Sequence, residues 1–461
     1  MTRPAVVLLF AAMPLFGQAP AFEGHWLGTL HAGQVSLRVV LHLAKAPGGG
    51  LSGTFDSLDQ NALGIPASEV TAAGRSLTVQ IARLGASFEG TLAEDGKQLA
   101  GTFKQAGAAF ALTFAKVDKP PGTSRPQDPG KPYPYDEEEV VYNHQGVTLA
   151  GTLTLPRGKG PYPAVLLLTG SGPQDRNEAI MGHRPFLVWA DSLTRRGIAV
   201  LRMDDRGVGG SSGSVLSSTE DDFATDALAG IAYLRRRPEI DPARTGLVGH
   251  SEGALVAAMA AARSAHVAFV VMLAGPGIPG DRLIVRQVEQ ASRAAGLPPA
   301  RVAENAALQR KLLDIVMGEK DDDAALAKLR AALAFALAGV PDQVRTAKER
   351  ELAIMVTPWY RSLLAADPAA TLRKVPVPVL AINGELDTQV PADENLAAIA
   401  AALKEGGNRD FTTRKLPGLN HLFQKAATGA IGEYGKIEET ANPAALEMVG
   451  QWITAHTALR R

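Results

Sequence analysis

The stretch that constrains the fold most strongly runs from Thr245 to Ser264 and reads TGLVGHSEGALVAAMAAARS. Its beginning, TGLV, is short and apolar as in a buried strand, and its end, ALVAAMAAARS, has the composition of a helix. The pentapeptide between them, Gly249 to Gly253, fits the pattern Gly-x-Ser-x-Gly. In a sharp strand-to-helix turn of this type, glycines allow close backbone approach and the helix N-terminus favours negative charge near the serine. Ser251 is therefore the candidate nucleophile.

Strand-like and helical segments alternate on both sides of this turn. PAVLLLTG, IAVLRMDD and AFVVMLAG are strand candidates, whereas FLVWADSLTRRG and FATDALAGIAYLRRRP are helix candidates. The alternation predicts an α/β domain over residues 138–461, with a mostly parallel sheet and helices on both faces. Residues 280–370, rich in Ala, Leu, Arg and Glu, interrupt it and are predicted to form a helical cap insertion. The sheet resumes at 377–384, and a final helix is expected near Pro443.

Residues 22–117 have a different pattern. Apolar residues alternate with polar ones from Val35 to Leu43, and turn signals such as PGGG and EDGK recur at short intervals. Several short strands at this spacing predict a small all-β domain, either a barrel or a sandwich. Its histidines lack the usual spacing of metal ligands. Residues 118–137 contain six prolines and few apolar groups, so a linker is expected there.

The first 21 residues resemble an export signal. Arg3 precedes the apolar run AVVLLFAAMPLF, and small residues follow it. A charged start, a short apolar run and a small-residue exit are typical of a signal peptide, and the run is too short for a membrane span. We expect residues 1–21 to be removed, a periplasmic or secreted location, and no stable membrane anchor.

The composition excludes several classes of function. Lys and Arg together number 47, as do Asp and Glu, so the net charge is zero and no basic surface for nucleic acid is indicated. The chain has no cysteine, which removes disulfides, thiolate metal sites and cysteine nucleophiles.

A serine hydroxyl needs a general base, and the base needs a carboxylate that holds its tautomer. His421 follows the last predicted strand, at the sheet edge where active sites of open α/β sheets form. Asp387 follows the strand at 377–384 directly, and the order serine, aspartate, histidine suits this architecture. Glu385 and Asp393 are the rivals for the acid.

The tetrahedral intermediate of acyl transfer needs two N–H donors for its oxyanion. One is expected to be the backbone of Glu252, directly after the nucleophile, and the other Ser171 in the loop after PAVLLL, with Gly172 as the alternative. A further set of residues is predicted to contact substrate, from that loop, from the segment after it and from the cap: Gly170, Gly172, His183, Trp359 and Tyr360.

Five motifs occur in a fixed order: GSGPQDR, DDRGVGGSSG, GHSEG, NGELDTQVP and LPGLNH. Together they resemble the α/β-hydrolase superfamily, and within it bacterial serine esterases related to dienelactone hydrolases and prolyl-peptidase families, with an extra N-terminal β-domain. The resemblance covers roughly residues 138–461. It implies the triad roles for Ser251, Asp387 and His421, and no metal or organic cofactor. Thr169-Gly170 stands where many relatives have His-Gly, which leaves the second oxyanion donor open.

The first hypothesis is a carboxylesterase that cleaves small to medium esters through an acyl-enzyme intermediate. Its expected partner is a small-molecule ester substrate, and the sequence is compatible with an oligomer. The second is a serine peptidase with the same triad, similar to aminopeptidases or dipeptidyl-peptidases. Such an enzyme needs a group that holds the peptide terminus, for example paired glutamates, and the sequence shows none clearly. The third is a non-catalytic hydrolase fold used for binding, for which loss of a triad residue would be the sign.

Overall fold

The computed structural model describes residues 22–32, 35–46, 49–58, 62–105, 107–120, 125–334 and 342–458. The predicted signal peptide lies outside the described residues. The chain divides into two compact units, Met1–Thr123 and Ser124–Arg461.

The first unit is a nine-stranded antiparallel sheet in the order β4-β3-β2-β1-β9-β8-β7-β6-β5, which confirms the all-β prediction. The sheet curls around one apolar core that includes Trp26, Phe88 and Phe114, so it is closer to a half-barrel than to a sandwich. The strands are β1 Gly24–Ala32, β2 Val35–Lys45, β3 Leu51–Ser57, β4 Ala62–Pro66, β5 Glu69–Ala73, β6 Ser76–Ile81, β7 Ala86–Leu92, β8 Gln98–Gln105 and β9 Ala108–Val117.

The second unit contains an eight-stranded mixed sheet in the order β10-β11-β13-β12-β14-β15-β16-β17. β10 and β11 form the predicted hairpin, and its two-residue turn, Gln145-Gly146, has positive φ at both positions, as the tightest hairpin turns require. The β10–β11 and β11–β13 pairs are antiparallel, and the remaining pairs of the sheet are parallel. The strands are β10 Asp136–His144, β11 Val147–Leu155, β12 Tyr162–Leu168, β13 Ala199–Met203, β14 Ile240–His250, β15 Val270–Leu273, β16 Val379–Gly384 and β17 Phe411–Leu416.

Helices cover both faces of this sheet, as the alternation predicted. One apolar core joins the sheet to α2, α3 and α10, and a second joins it to α1 and α11 on the opposite face. Because both faces are covered, the middle of the sheet is apolar and buried, as in residues 164–167 of β12 and 270–273 of β15. These helices are α1 Pro185–Arg195, α2 Glu220–Arg235, α3 Glu252–Arg263, α10 Ala392–Glu405 and α11 Pro443–Thr457.

The predicted cap is also helical and has a core of its own, with Leu313, Val316 and Leu329 at its centre. Side chains cap three of its helices: Asp321, Thr357 and Asp367 each accept a backbone N–H of the first turn. Its helices are α4 Gly280–Ala294, α5 Pro299–Gly318, α6 Asp322–Leu333, α7 Asp342–Met355, α8 Pro358–Ala365 and α9 Pro368–Leu372.

The second half of the predicted linker belongs to the second unit. The Arg125 guanidinium donates to the carbonyl oxygens of Met181 (2.9 Å) and Ile437 (3.1 Å), and the Gln127 amide is bonded to the backbone of Thr440 and Ala441. Residues 125–135 are therefore part of the second unit rather than a free tether. In the described part of the chain, no helix combines the length and the apolar character needed to cross a membrane.

Candidate active site

Ser251 lies at the turn between β14 and α3, where the sequence places the nucleophile. Its φ of 54° and ψ of −119° are strained for a residue with a side chain. A Cβ on Gly249 would lie 2.0 Å from the carbonyl oxygen of Gly253, and one on Gly253 would lie 2.3 Å from that of Leu168. Both glycines are therefore required by close backbone approach, and the turn presents Ser251 at the N-terminus of α3.

His421 and Asp387 form a buried pair on the loops that follow β17 and β16. His421 Nδ1 lies 2.8 Å from Asp387 Oδ2. The other carboxylate oxygen accepts the backbone N–H groups of Gln389 and Val390, each at 2.8 Å, which fixes the orientation of the carboxylate. This pair leaves His421 Nε2 to face a nucleophile.

The two rival carboxylates have other partners. Glu385 accepts the backbone N–H of Gly418 at 2.9 Å, and Asp393 is paired with Lys415 at 2.7 Å. Asp387 is thus the carboxylate of these three that is bonded to His421.

Ser251 is connected to His421 through its neighbour His250. The two imidazole rings are 4.7 Å apart between centroids, and His250 Nε2 is 3.0 Å from the carbonyl oxygen of His421. The hydrogen bonds of the described residues do not include one from the Ser251 hydroxyl to His421. In enzymes without substrate, such bonds are often long and tighten only in the complex.

The expected oxyanion donors are placed on two sides of Ser251. Glu252 is the first residue of α3, where backbone N–H groups have no acceptor within the helix. A Cβ on Gly170 would be 3.5 Å from the Ser251 Cβ, so the loop after β12 passes beside the nucleophile. The Gly170 N–H already donates to Glu178 Oε1 at 2.7 Å, so Ser171 and its alternative Gly172 stay the candidate donors in this loop.

The structure places His183, which was expected to contact substrate, in the interior of the second unit. The side chain is fully buried, and its ring nitrogens lie 2.9 Å from Thr440 Oγ1 and from the carbonyl oxygen of Tyr434. Burial lowers the pKa of His183 to about 4. A neutral imidazole in this place joins the segment before α1 to the segment before α11 and is not accessible to a ligand.

The cap residues predicted to contact substrate have structural roles as well. Tyr360 packs against the cap core, and this burial raises its pKa to about 12. Trp359 is only 8% exposed, and its indole N–H donates to Glu252 Oε1 at 2.9 Å. Through this bond, α8 of the cap is attached to the residue that follows Ser251.

Sequence reasoning missed a pair of buried carboxyl groups beside the nucleophile. Glu220 (3% exposed) at the start of α2 and Glu252 (7% exposed) face each other, and burial raises the pKa of both. Their oxygens other than Glu252 Oε1 have no hydrogen-bond donor among the described groups. Two carboxylates cannot both be ionised at close range without a large cost, so the pair favours one shared proton.

Comparisons with known proteins agree on the class of enzyme. The model of the hydrolase family described as serine aminopeptidase, S33, matches residues 186–425, which is more than half of the chain. The esterase EstD of Thermotoga maritima is 28% identical over 293 residues, which are 63% of this chain and 61% of EstD. An uncharacterised protein of Mycobacterium tuberculosis is 31% identical over 138 residues, 30% of this chain and 45% of that protein. The matched regions thus span less than two thirds of either relative.

Two solved structures are similar to this chain at low sequence identity. An α/β-hydrolase of Penicillium, GrgF, is 18% identical with a TM-score of 0.45, over 70% of this chain and 100% of its own. An esterase of Pyrococcus furiosus is 18% identical with a TM-score of 0.43, over 73% of this chain and 98% of its own.

Proposed function

Because this chain belongs to the serine aminopeptidase S33 family of α/β-hydrolases, we propose that it is a serine hydrolase that cleaves small to medium carboxylic esters, with Ser251 as nucleophile, His421 as base and Asp387 as the acid. The observation that carries the proposal is the buried 2.8 Å bond between His421 Nδ1 and Asp387 Oδ2, in the unit that also holds Ser251 in a strained turn. The similarity to EstD supports ester hydrolysis.

In the proposed reaction, the Ser251 oxygen attacks the ester carbonyl carbon while His421 Nε2 takes the hydroxyl proton. The carbonyl electron pair moves to the oxygen, where the N–H groups of Glu252 and Ser171 would stabilise the charge. The tetrahedral intermediate expels the alcohol, which receives the proton from His421, and an acyl-enzyme remains. Water repeats the sequence and releases the acid. Asp387 keeps the proton on Nδ1, so that Nε2 can act as the base.

The second candidate function is an aminopeptidase. Besides the family name, the Glu220–Glu252 pair favours it, because paired carboxyl groups can bind a terminal ammonium group. Two observations favour ester hydrolysis instead. Both carboxyl groups are buried, and Trp359 is bonded to Glu252, so an ammonium group would have to displace this bond to reach the pair.

Hydrolysis of p-nitrophenyl esters of graded acyl length tests the proposal, with Ser251→Ala and an aminoacyl anilide alongside. We expect turnover of short esters, loss of several powers of ten in the variant and no cleavage of the anilide. Faster cleavage of the anilide would establish the peptidase. No turnover, together with failure of a fluorophosphonate to label Ser251, would indicate a non-catalytic binding protein.

We also propose that the protein is exported to the periplasm or beyond the cell, on the basis of the charged start and apolar run in residues 1–21. Expression of the full chain in a Gram-negative host, followed by fractionation and mass measurement, tests this. A periplasmic protein that lacks its N-terminal residues is expected. An uncleaved cytoplasmic chain would contradict it.

A further inference from the structure

We propose that Glu178 and His250 are positioning residues. Together they fix two loops relative to Ser251: the loop after β12, which contains the proposed oxyanion donor Ser171, and the loop after β17, which contains His421. The inference rests on the function proposed above for Ser251 and His421. Neither residue of the pair is needed for the proton transfers themselves, and the sequence motifs do not point to Glu178.

The pair joins three separate segments by three hydrogen bonds. Glu178 Oε1 accepts the backbone N–H of Gly170 at 2.7 Å and lies 2.8 Å from His250 Nδ1. His250 Nε2 lies 3.0 Å from the carbonyl oxygen of His421. A continuous path therefore runs from the loop with the proposed donor Ser171, through the residue before the nucleophile, to the backbone of the proposed base.

The geometry also sets the charge of His250. The carbonyl oxygen of His421 can only accept, and Glu178 Oε1 already accepts from Gly170. When Glu178 is a carboxylate, both ring nitrogens of His250 donate, which is the doubly protonated imidazolium. Burial alone would lower the pKa of His250, but Glu178, the His421 carbonyl and the more distant Asp387 raise it above its ordinary value. Charge on Glu178 is therefore needed for both bonds.

The backbone supports this arrangement at a local cost. Glu178 is 4% exposed and has a φ of 51°, in the left-handed region that glycine prefers. Strain of this kind persists only where surrounding contacts enforce it, and it clusters at functional sites. Here the Glu178 N–H donates to the Asp175 carbonyl at 2.8 Å, which closes a turn and directs the carboxylate towards His250.

Loss of the pair should affect catalysis more than substrate binding. Displacement of a catalytic group by about 1 Å can cost on the order of 100-fold in rate. We expect Glu178→Gln to lower kcat by about 10- to 100-fold with little change in KM. The amide oxygen introduced there can still accept from Gly170, but a neutral His250 has only one N–H and must give up one of its two bonds.

The decisive measurement is the ratio of kcat for each variant to wild type from about pH 4.5 to about pH 8.5, a range that extends to the acidic side because burial lowers the pKa of a His250 that has lost its carboxylate. For Glu178→Gln, the ratio should rise as pH falls, because His250 regains its second proton and both bonds. For His250→Gln, which has no titratable ring, kcat should be low and the ratio flat.

Asp241→Asn is the matched control, because it breaks the ion pair with Arg244 at the other end of the same strand, β14. It should leave kcat and the ratio unchanged. A Glu178→Gln variant with wild-type kcat, or with a reduced kcat whose ratio to wild type is flat with pH, overturns the inference. If Glu178→Gln does not fold, wild-type kcat in His250→Gln has the same consequence. Full activity of Ser251→Ala would instead overturn the proposed function.

Discussion

Asp205 places an ionisable carboxyl group against the loop that follows β12. One of its oxygens accepts the Thr169 hydroxyl at 2.6 Å, and the other accepts the backbone N–H of Gln174 at 2.9 Å. Burial, reinforced by Glu252 and Glu178, raises the pKa of Asp205 to about 8 in spite of these bonds. The two bonds hold both ends of the loop that contains Ser171.

This shift predicts a pH-dependent stability. Between the ordinary carboxyl pKa near 4 and about 8, the folded chain keeps a proton on Asp205 that the unfolded chain has released. The contribution of Asp205 to the free energy of unfolding should therefore fall as pH rises through this window. Asp205→Asn, which retains similar bonds without a charge, should remove that part of the slope. Urea unfolding of both proteins at pH 6 and pH 9 measures it, and equal slopes would contradict the assignment.

Gly249 offers a test of the strained turn. An added Cβ would meet backbone atoms of Gly253 at 2.0 and 2.2 Å, and backbone cannot move aside as a flexible side chain does. We expect Gly249→Ala to destabilise the fold by about 4 kcal/mol or more, the range of severe core mutations, and to abolish activity. Gly318→Ala, at a helix end with open space around it, should be neutral or stabilising by up to about 1 kcal/mol. Similar melting temperatures for both variants would refute the argument.

Residues of the candidate site were predictable where the signal is local. Ser251 is marked by its pentapeptide, and Asp387 and His421 by their places after strands. Glu178 and His250 are 72 positions apart, and His183 meets Tyr434 across 251 positions, so no local pattern records either contact. The sequence could thus suggest which residues act, but not which ones hold them in place.

At the scale of elements, α8 is the part of the cap bonded to the residue after the nucleophile. The Trp359 indole donates to Glu252, and the Ser362 hydroxyl accepts the backbone N–H of Glu220 at 3.0 Å. The cap was predicted as a helical block without internal boundaries. Three prolines mark the starts of cap helices: the first residues of α5, α8 and α9 are Pro299, Pro358 and Pro368.

This attachment leads to a prediction about the cap. Trp359→Phe keeps most of the ring but removes the donor to Glu252 Oε1, and no described donor reaches Glu252 Oε2. A buried carboxyl group that loses its partner costs about 1–3 kcal/mol, so the free energy of unfolding should fall by that amount. Since the Glu252 backbone is a proposed oxyanion donor, kcat should fall too. Trp452→Phe, at a half-buried indole on α11, is the control, and equal effects in both variants would contradict a specific role for the bond.

At the scale of the whole molecule, the order of strands and helices could be read from hydrophobic periodicity, and the boundary between the two units falls within the predicted linker. Composition could not show that the second half of this linker is bonded into the second unit. Prolines at 126, 129, 132 and 134 suggested a linker up to residue 137. The structure assigns residues from 124 onwards to the second unit. The contacts responsible, such as that from Arg125 to Ile437, span 312 positions and have no signature in local composition.

Two truncated chains test whether residues 125–135 contribute to the stability of the second unit. A chain that begins at Ser124 keeps the apolar cores of the second unit and the bonds of Arg125 and Gln127, so it should fold and hydrolyse esters. A chain that begins at Asp136 keeps all of β10 but loses those bonds, which hold backbone carbonyl and N–H groups of residues 181–182 and 435–441. Because buried backbone groups without partners each cost about 1–3 kcal/mol, it should melt at a clearly lower temperature. Addition of Arg125→Ala and Gln127→Ala to the longer form should reproduce part of the loss, since the shorter form also lacks the buried Tyr135 and its bond to Asp191. Equal melting temperatures for the two truncations would mean that residues 125–135 are a free tether after all.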